Sequence, residues 1–232
     1  MIGGIIFDKD GTLFDFHRSW GGWAVGFVRG LARDEGHADA LGRAIGFDLA
    51  TGTFAHDSPV IAATAADIAL ALLPHLPGQS AAAITTHINT AAALAPMAEA
   101  VPLRPLLSAL RARGLKIGLA TNDTEVNARA HLEAHAITGL FDFIAGYDSG
   151  HGPKPGPGMC AAFARECGLD PTRVVMVGDS LHDLHAGRAA GMICVGVLTG
   201  MASKADLAPH ADAVLADIGA LPDWIDWHGA QR

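Results

Sequence analysis

A chain of 232 residues that is 50% hydrophobic can bury a full core, and its length suits one domain with an insertion or two unequal domains. The formal net charge of −8 argues against a nucleic-acid partner and against an anionic membrane surface, because both repel an acidic protein at long range. Cys160, Cys167 and Cys194 have no metal-ligand spacing, and their odd number cannot form a closed disulfide set. Met1-Ile2-Gly3-Gly4 lacks the basic start and cleavable apolar stretch of an export signal, and no apolar run is long enough to span a bilayer, so a reducing, cytoplasmic setting is expected.

The first predicted strand, residues 2–7, ends abruptly in Asp8-Lys9-Asp10-Gly11-Thr12. Side chains alternate along a strand, which predicts Asp8 and Asp10 on one face and the Lys9 side chain turned away from both. Two carboxylates held that close require a cation or a proton between them. Gly11 permits a tight departure from the strand. Asp-x-Asp-Gly is also ordinary turn chemistry, so the weight falls on partners farther along the chain.

About ninety residues precede the next core-like strand, too many for a loop, so residues 15–100 read as an inserted small domain. Segments near 17–34, 37–46, 59–74 and 79–95 are rich in Ala and Leu and predict helices punctuated by Gly and Pro. The core resumes with a helix near 103–113 and a strand at 115–120 that ends in Thr121-Asn122. A helix near 124–135 and a strand near 142–145 follow. The loop His151-Gly152-Pro153-Lys154-Pro155 is too proline-rich for helix or inner strand. After a helix near 156–167, which carries Cys160 and Cys167 on one face, the run 173–177 is apolar enough for a strand buried on both faces. It leads into Asp179, with Asp183 four residues later. A strand near 192–197, then a short strand and a helix within 213–226, complete the chain. Polar residues at the carboxyl ends of parallel strands gather along one sheet edge, where ligands bind in open α/β folds.

With those residues in place, the chain resembles the haloacid dehalogenase-like hydrolase superfamily. Its four signatures match as Asp8-Lys9-Asp10-Gly11-Thr12, Thr121-Asn122, Lys154-Pro155 and Gly178-Asp179-Ser180-Leu181-His182-Asp183, in the family's order. The phosphoglycolate phosphatase-like branch is the most similar. The resemblance implies an α/β fold with a Rossmann-like three-layer core and parallel sheet, built from residues 1–14 and 101–232. An α-helical cap, residues 15–100, is inserted after the first strand. It also implies a Mg2+-dependent phosphatase acting on a small phosphorylated metabolite, with 2-phosphoglycolate the best guess, as a monomer or homodimer.

Phosphate monoesters hydrolyse very slowly unaided, so charge on the transferring group must be neutralised and the nucleophile held in line. Asp8 is the candidate nucleophile, giving an aspartyl-phosphate that water cleaves. Asp10 is the candidate acid and base, expected farther from the metal where it can carry a proton. Only hard oxygens are offered as ligands, which suits Mg2+. By resemblance these are the Asp8 carboxylate, the Asp10 carbonyl and Asp179, with Asp183 close by. The family assigns Thr121, Asn122 and Lys154 to the phosphate. Lysine occurs only at positions 9, 116, 154 and 204, so two of the four fall inside motifs.

Each residue also has an uneventful reading. Thr121-Asn122-Asp123 could cap a helix, Asp183 could complement a helix dipole, and Lys154 could be a solvated loop lysine. Their joint order favours the catalytic account. For substrate specificity, the stretch from Ala44 through Leu103 holds no Lys or Arg, which leaves His17, Arg18, Trp20 and Arg43, with the histidines His56, His75 and His87, as candidates; packing is the commoner fate of an aromatic such as Trp20 next to glycines. A sugar phosphomutase uses the same motifs. From another class, a phospho-receiver that binds phosphate without turnover also combines acids, a threonine and a lysine.

Overall fold

The computed structural model describes residues 1–230. It divides into two compact units, one made of Met1–Asp15 with the chain from Glu99 onward and the other of Phe16–Ala98. In chain order the elements are β1 (Gly4–Phe7), α1 (Phe16–Leu31), α2 (Glu35–Ala44), β2 (Phe47–Asp48), β3 (Thr53–Phe54), α3 (Ala65–Leu72) and α4 (Ala81–Ala92). Then come α5 (Leu103–Ala112), β4 (Lys116–Ala120), α6 (Glu125–Ala134), β5 (Phe143–Ala145), α7 (Gly158–Glu166), β6 (Val174–Gly178) and α8 (Leu181–Ala189). The chain closes with β7 (Ile193–Val197), α9 (Lys204–Leu207), β8 (Ala213–Leu215) and α10 (Leu221–Ala230).

The first unit is an α/β layer structure around a six-stranded sheet of order β5-β4-β1-β6-β7-β8 with every pairing parallel. Strands β1, β6 and β7 are buried at every residue, as a parallel sheet covered on both faces requires. Ile6, Ala120, Phe143 and Met176 form a cluster on one face with Met159, Cys160 and Phe163 of α7. Gly118 of β4 has no side chain because the Phe163 ring occupies that space: a Cβ there would lie 2.7 Å from its Cδ2. Cys167 falls just past the end of α7, only partly buried, whereas Cys160 is fully buried.

The second unit is helical. The segment expected as one helix over 59–74 is broken, because Thr64 and Asp67 form a reciprocal capping box that starts α3 afresh after a short 3-10 turn at Pro59–Ile61. Two elements were not expected from the sequence: the small hairpin β2-β3, whose Phe47 and Phe54 rings meet at 4.7 Å, and the short helix α9 in the first unit. Each of these elements is too short to show periodicity. Among the described residues no helix is long and apolar enough to cross a membrane.

Asp142 pins the edge strand β5 to its neighbour. Its carboxylate accepts the Ile117 N–H at 3.0 Å and pairs with Lys116 at 2.9 Å and Arg111 at 2.7 Å. Burial works to raise this carboxyl, but the Ile117 N–H and the two cations outweigh it and hold it below the usual range.

Two outcomes follow from this packing. Gly118→Ala, which must displace Phe163, should lower stability in urea unfolding by about 1–3 kcal/mol. Asp142→Asn should cost roughly 0.5–1 kcal/mol at neutral pH, because the two cations are exposed and screened. A folded carboxyl that titrates below its unfolded value stabilises fully above the ordinary carboxylate range, and that stability is lost as pH falls through the lower folded value. The gap between wild type and variant in thermal melts should therefore close in acid.

Candidate functional site

Strand β1 lies between β4 and β6, so the connections to its two sides leave the sheet in opposite directions at its carboxyl end. Asp8 follows β1, Thr121 and Asn122 follow β4, and Asp179 follows β6. Asp183 lies in the first turn of α8. Carboxylate oxygens of Asp8, Asp179 and Asp183 come within 4.8 Å of one another, and all three residues are buried. The Lys154 ammonium lies among them, 2.5 Å from Asp8 Oδ1 and 2.6 Å from Asp183 Oδ1. The residue is 5% exposed, so the reading of a solvated loop lysine does not hold.

Asp183 serves two purposes at once. Its Oδ2 accepts the Ser180 N–H at 3.0 Å and the Ser180 hydroxyl at 2.7 Å, which caps α8, while Oδ1 faces Lys154. The alternative reading of Thr121-Asn122-Asp123 as a helix cap does not hold. Thr124 caps α6 by accepting the Asn127 N–H at 3.2 Å. Thr121, buried, accepts the Asp123 N–H at 3.1 Å. Asn122 ties down the lysine loop: its Nδ2 donates to the Lys154 carbonyl at 2.9 Å and its Oδ1 accepts the Lys154 N–H at 2.8 Å.

The electrostatics of the cluster call for a cation. Desolvation, reinforced by Asp183 and Asp10 and opposed by Lys154, pushes Asp8 up to about 7. Burial together with Asp183 and Asp8 pushes Asp179 well above the carboxylate range. Burial disfavours the charged form of Lys154, but Asp183 and Asp8 overcome it and hold the ammonium firmly protonated. With one ammonium beside them, the three carboxylates can all ionise only if a further cation is bound, and hard oxygen is the only donor type they offer it. This donor set fits a divalent hard cation such as Mg2+.

Asp10 stands apart. Its carboxylate is not part of the three-acid group, and its Oδ2 lies 3.1 Å from Lys9 Nζ. The expectation that Lys9 turns away from Asp10 is therefore corrected. Strand β1 ends at Phe7, and the chain coils into a turn in which Leu13 and Phe14 both donate to the Lys9 carbonyl, so alternation no longer applies. Lys9 is fully buried, and its ammonium also meets Asp123 Oδ2 at 2.9 Å and His131 Nδ1 at 2.9 Å. Burial alone would lower Lys9, but Asp10 and Asp123 raise it above its ordinary value.

Other supporting residues were not foreseen. Thr12 donates to Asp179 Oδ1 at 3.3 Å, and the Thr199 hydroxyl donates to the Gly11 carbonyl at 2.6 Å. Gly11, at φ +76°, and Gly200 both approach Asp179 so closely that a Cβ on either would collide with its carboxylate. Thr199-Gly200 follows the carboxyl end of β7, the same edge of the sheet, and that position was the signal available. The specificity candidates belong to the helical unit: His17, Arg18 and Trp20 on α1 and Arg43 on α2. His17, Arg18 and Arg43 are exposed. Trp20 is 7% exposed and packs edge-on against Trp23 at 5.0 Å, which favours the packing reading.

Residues 2–191 match the haloacid dehalogenase-like hydrolase family. The chain belongs to that family. It is 33% identical over 111 residues to a probable phosphatase, IndB, of Dickeya dadantii, covering 48% of each chain. It is 34% identical over 120 residues to a phosphoglycolate phosphatase of Rhodospirillum rubrum, covering 52% of this chain and 50% of that one. The chain thus spans about half the length of these curated relatives. The crystal structure of CbbY from Rhodobacter sphaeroides in complex with phosphate superposes with TM-score 0.71 at 22% identity, covering 95% of this chain and 96% of that one, a likeness of fold.

In this member of the family, Gly200→Ala must push the Asp179 carboxylate aside. Mg2+ affinity measured by calorimetry should fall by about 10-fold or more, a loss typical of disturbed ligand support. Circular dichroism should report an intact fold.

Proposed function

We propose that this hydrolase is a Mg2+-dependent phosphatase that cleaves a small phosphate monoester, with 2-phosphoglycolate the leading substrate. The observation that carries this reading is the division between two neighbouring carboxylates: Asp8 sits in the buried acidic group beside Lys154, while Asp10 stands outside it. Asp8, Asp179 and the Asp10 main-chain carbonyl would hold the ion, with Asp183 beside them. The bound cation would neutralise charge on the phosphoryl group and keep Asp8 ionised.

An Asp8 carboxylate oxygen attacks phosphorus, and the bond from phosphorus to the leaving oxygen breaks. The proton from the Asp10 carboxyl goes to that oxygen, releasing the alcohol. Water then attacks the phosphorus of the aspartyl-phosphate and gives a proton to the Asp10 carboxylate. Orthophosphate leaves, and Asp8 is regenerated as carboxylate with Asp10 protonated again. Lys154, in contact with Asp8, would hold the phosphoryl oxygens as a point charge as well as the nucleophile. Thr121 already accepts a main-chain N–H, which leaves its own O–H to donate to a phosphoryl oxygen. Asn122 would act through the lysine loop it binds. Recognition of the leaving group is assigned to the helical unit, with His17, Arg18 and Arg43 as the exposed candidates.

Phosphate release should be measured across a panel of phosphorylated metabolites, with product analysis to detect the isomerised sugar that a phosphomutase would make. Release of orthophosphate from 2-phosphoglycolate, absent with EDTA and restored by Mg2+, is the expected result. Asp8→Asn should abolish turnover, and persistent release would refute it as nucleophile. Asp10→Asn should lower kcat by roughly 10²–10⁴-fold, the usual worth of general acid–base catalysis, with Mg2+ affinity nearly unchanged.

A further inference from the structure

Lys9 is an ammonium with no accessible surface, held by partners from three parts of the core: Asp10 in the turn after β1, Asp123 in the loop after β4 and His131 on α6. Asp123 is itself immobilised, since its Oδ1 accepts the Thr124 N–H at 2.7 Å and the Asn127 amide at 2.9 Å. Stability does not explain such a network. A buried ion pair seldom stabilises a fold more than apolar side chains of the same volume would, because desolvating both charges consumes the attraction between them.

The position matters because of what lies nearby. Asp8, Asp179 and Asp183 form an acidic group that fits a divalent cation, and a fourth carboxylate on the same turn would be drawn to that cation as a further ligand. Lys9 offers Asp10 a competing positive charge at 3.1 Å, fixed on the rigid base of Asp123 and His131. The Asp10 side chain is 17% exposed, so the carboxylate that Lys9 grips by Oδ2 remains reachable.

We propose that Lys9 is a positioning residue for the reaction: anchored by Asp123 and His131, it holds the Asp10 carboxylate out of the metal-binding group and aims it at the leaving-group oxygen. This rests on the phosphatase reading above. Lys9 touches neither substrate nor ion and acts only through Asp10.

The test uses two esters of nearly the same shape, phenyl phosphate and p-nitrophenyl phosphate. The first has a poor leaving group that needs a proton delivered; the second departs readily without one. Lys9→Met, close in length and uncharged, should lower kcat for phenyl phosphate by about 10-fold or more beyond any loss with p-nitrophenyl phosphate, as displacement of a general acid requires. KM should stay within about twofold for both. The double variant Lys9→Met with Asp123→Asn removes both buried charges together and covers the case in which the single variant does not fold; it should show the same selective loss. Equal losses for the two esters in a folded variant would reduce Lys9 to a structural role, and unchanged kinetics would remove it from the reaction; either overturns the inference. Folded, Mg2+-supplied wild type inert towards both esters and towards every phosphorylated metabolite of the panel would instead overturn the phosphatase reading and this inference with it.

Discussion

Mutual repulsion among Asp8, Asp179 and Asp183 is the constraint around which the site is organised. Three carboxylates buried within 4.8 Å of one another cannot all ionise unless positive charge is supplied. Lys154 supplies part of it from between Asp8 and Asp183, and the remaining demand fits a divalent cation. The fold invests heavily in keeping the group in place. Parallel strands β1 and β6 deliver Asp8 and Asp179 side by side, the capping contacts of α8 fix Asp183, and the Asn122 amide clamps the loop that carries Lys154.

Close approach matters as much as charge. Gly11 and Gly200 contribute no side chain, yet both crowd the Asp179 carboxylate so tightly that nothing larger would fit. Gly178 is likewise pressed against Asp183. Backbone from the turn after β1 and from the loop after β7 therefore forms the walls of the acidic group, and the Thr199 hydroxyl joins those two segments. A site assembled in this way has little freedom to relax, as the proposed chemistry on preorganised charge requires.

A second cation divides the labour between the paired aspartates. Lys154 serves the buried acids, whereas Lys9 binds Asp10 and is itself held by Asp123 and His131. Two lysines of a lysine-poor chain thus serve the Asp8-Asp10 segment, each paired with its own carboxylates. The same motif carries both acids, yet their surroundings differ as sharply as their proposed roles.

Asp8, Thr121 and Asp179 were legible in the chain because each follows an apolar strand, Lys154 because it sits in a proline-rich loop, and Asp183 because it comes four residues after Asp179; strand ends of a parallel sheet converge whatever the details of packing. The parallel α/β core and its helical insertion could be read the same way, from apolar runs and from a gap too long to be a loop. What the chain could not disclose depends on contacts between residues far apart in sequence. The direction of Lys9 followed from a turn that ended strand alternation, its partners Asp123 and His131 come from more than a hundred positions away, and the crowding of Asp179 by Gly200 exists only once β1, β6 and β7 lie side by side. Local pattern determined which residues reach the site; only tertiary packing decided which of them touch, because electrostatic and steric contact depend on distance in space and not on separation along the chain.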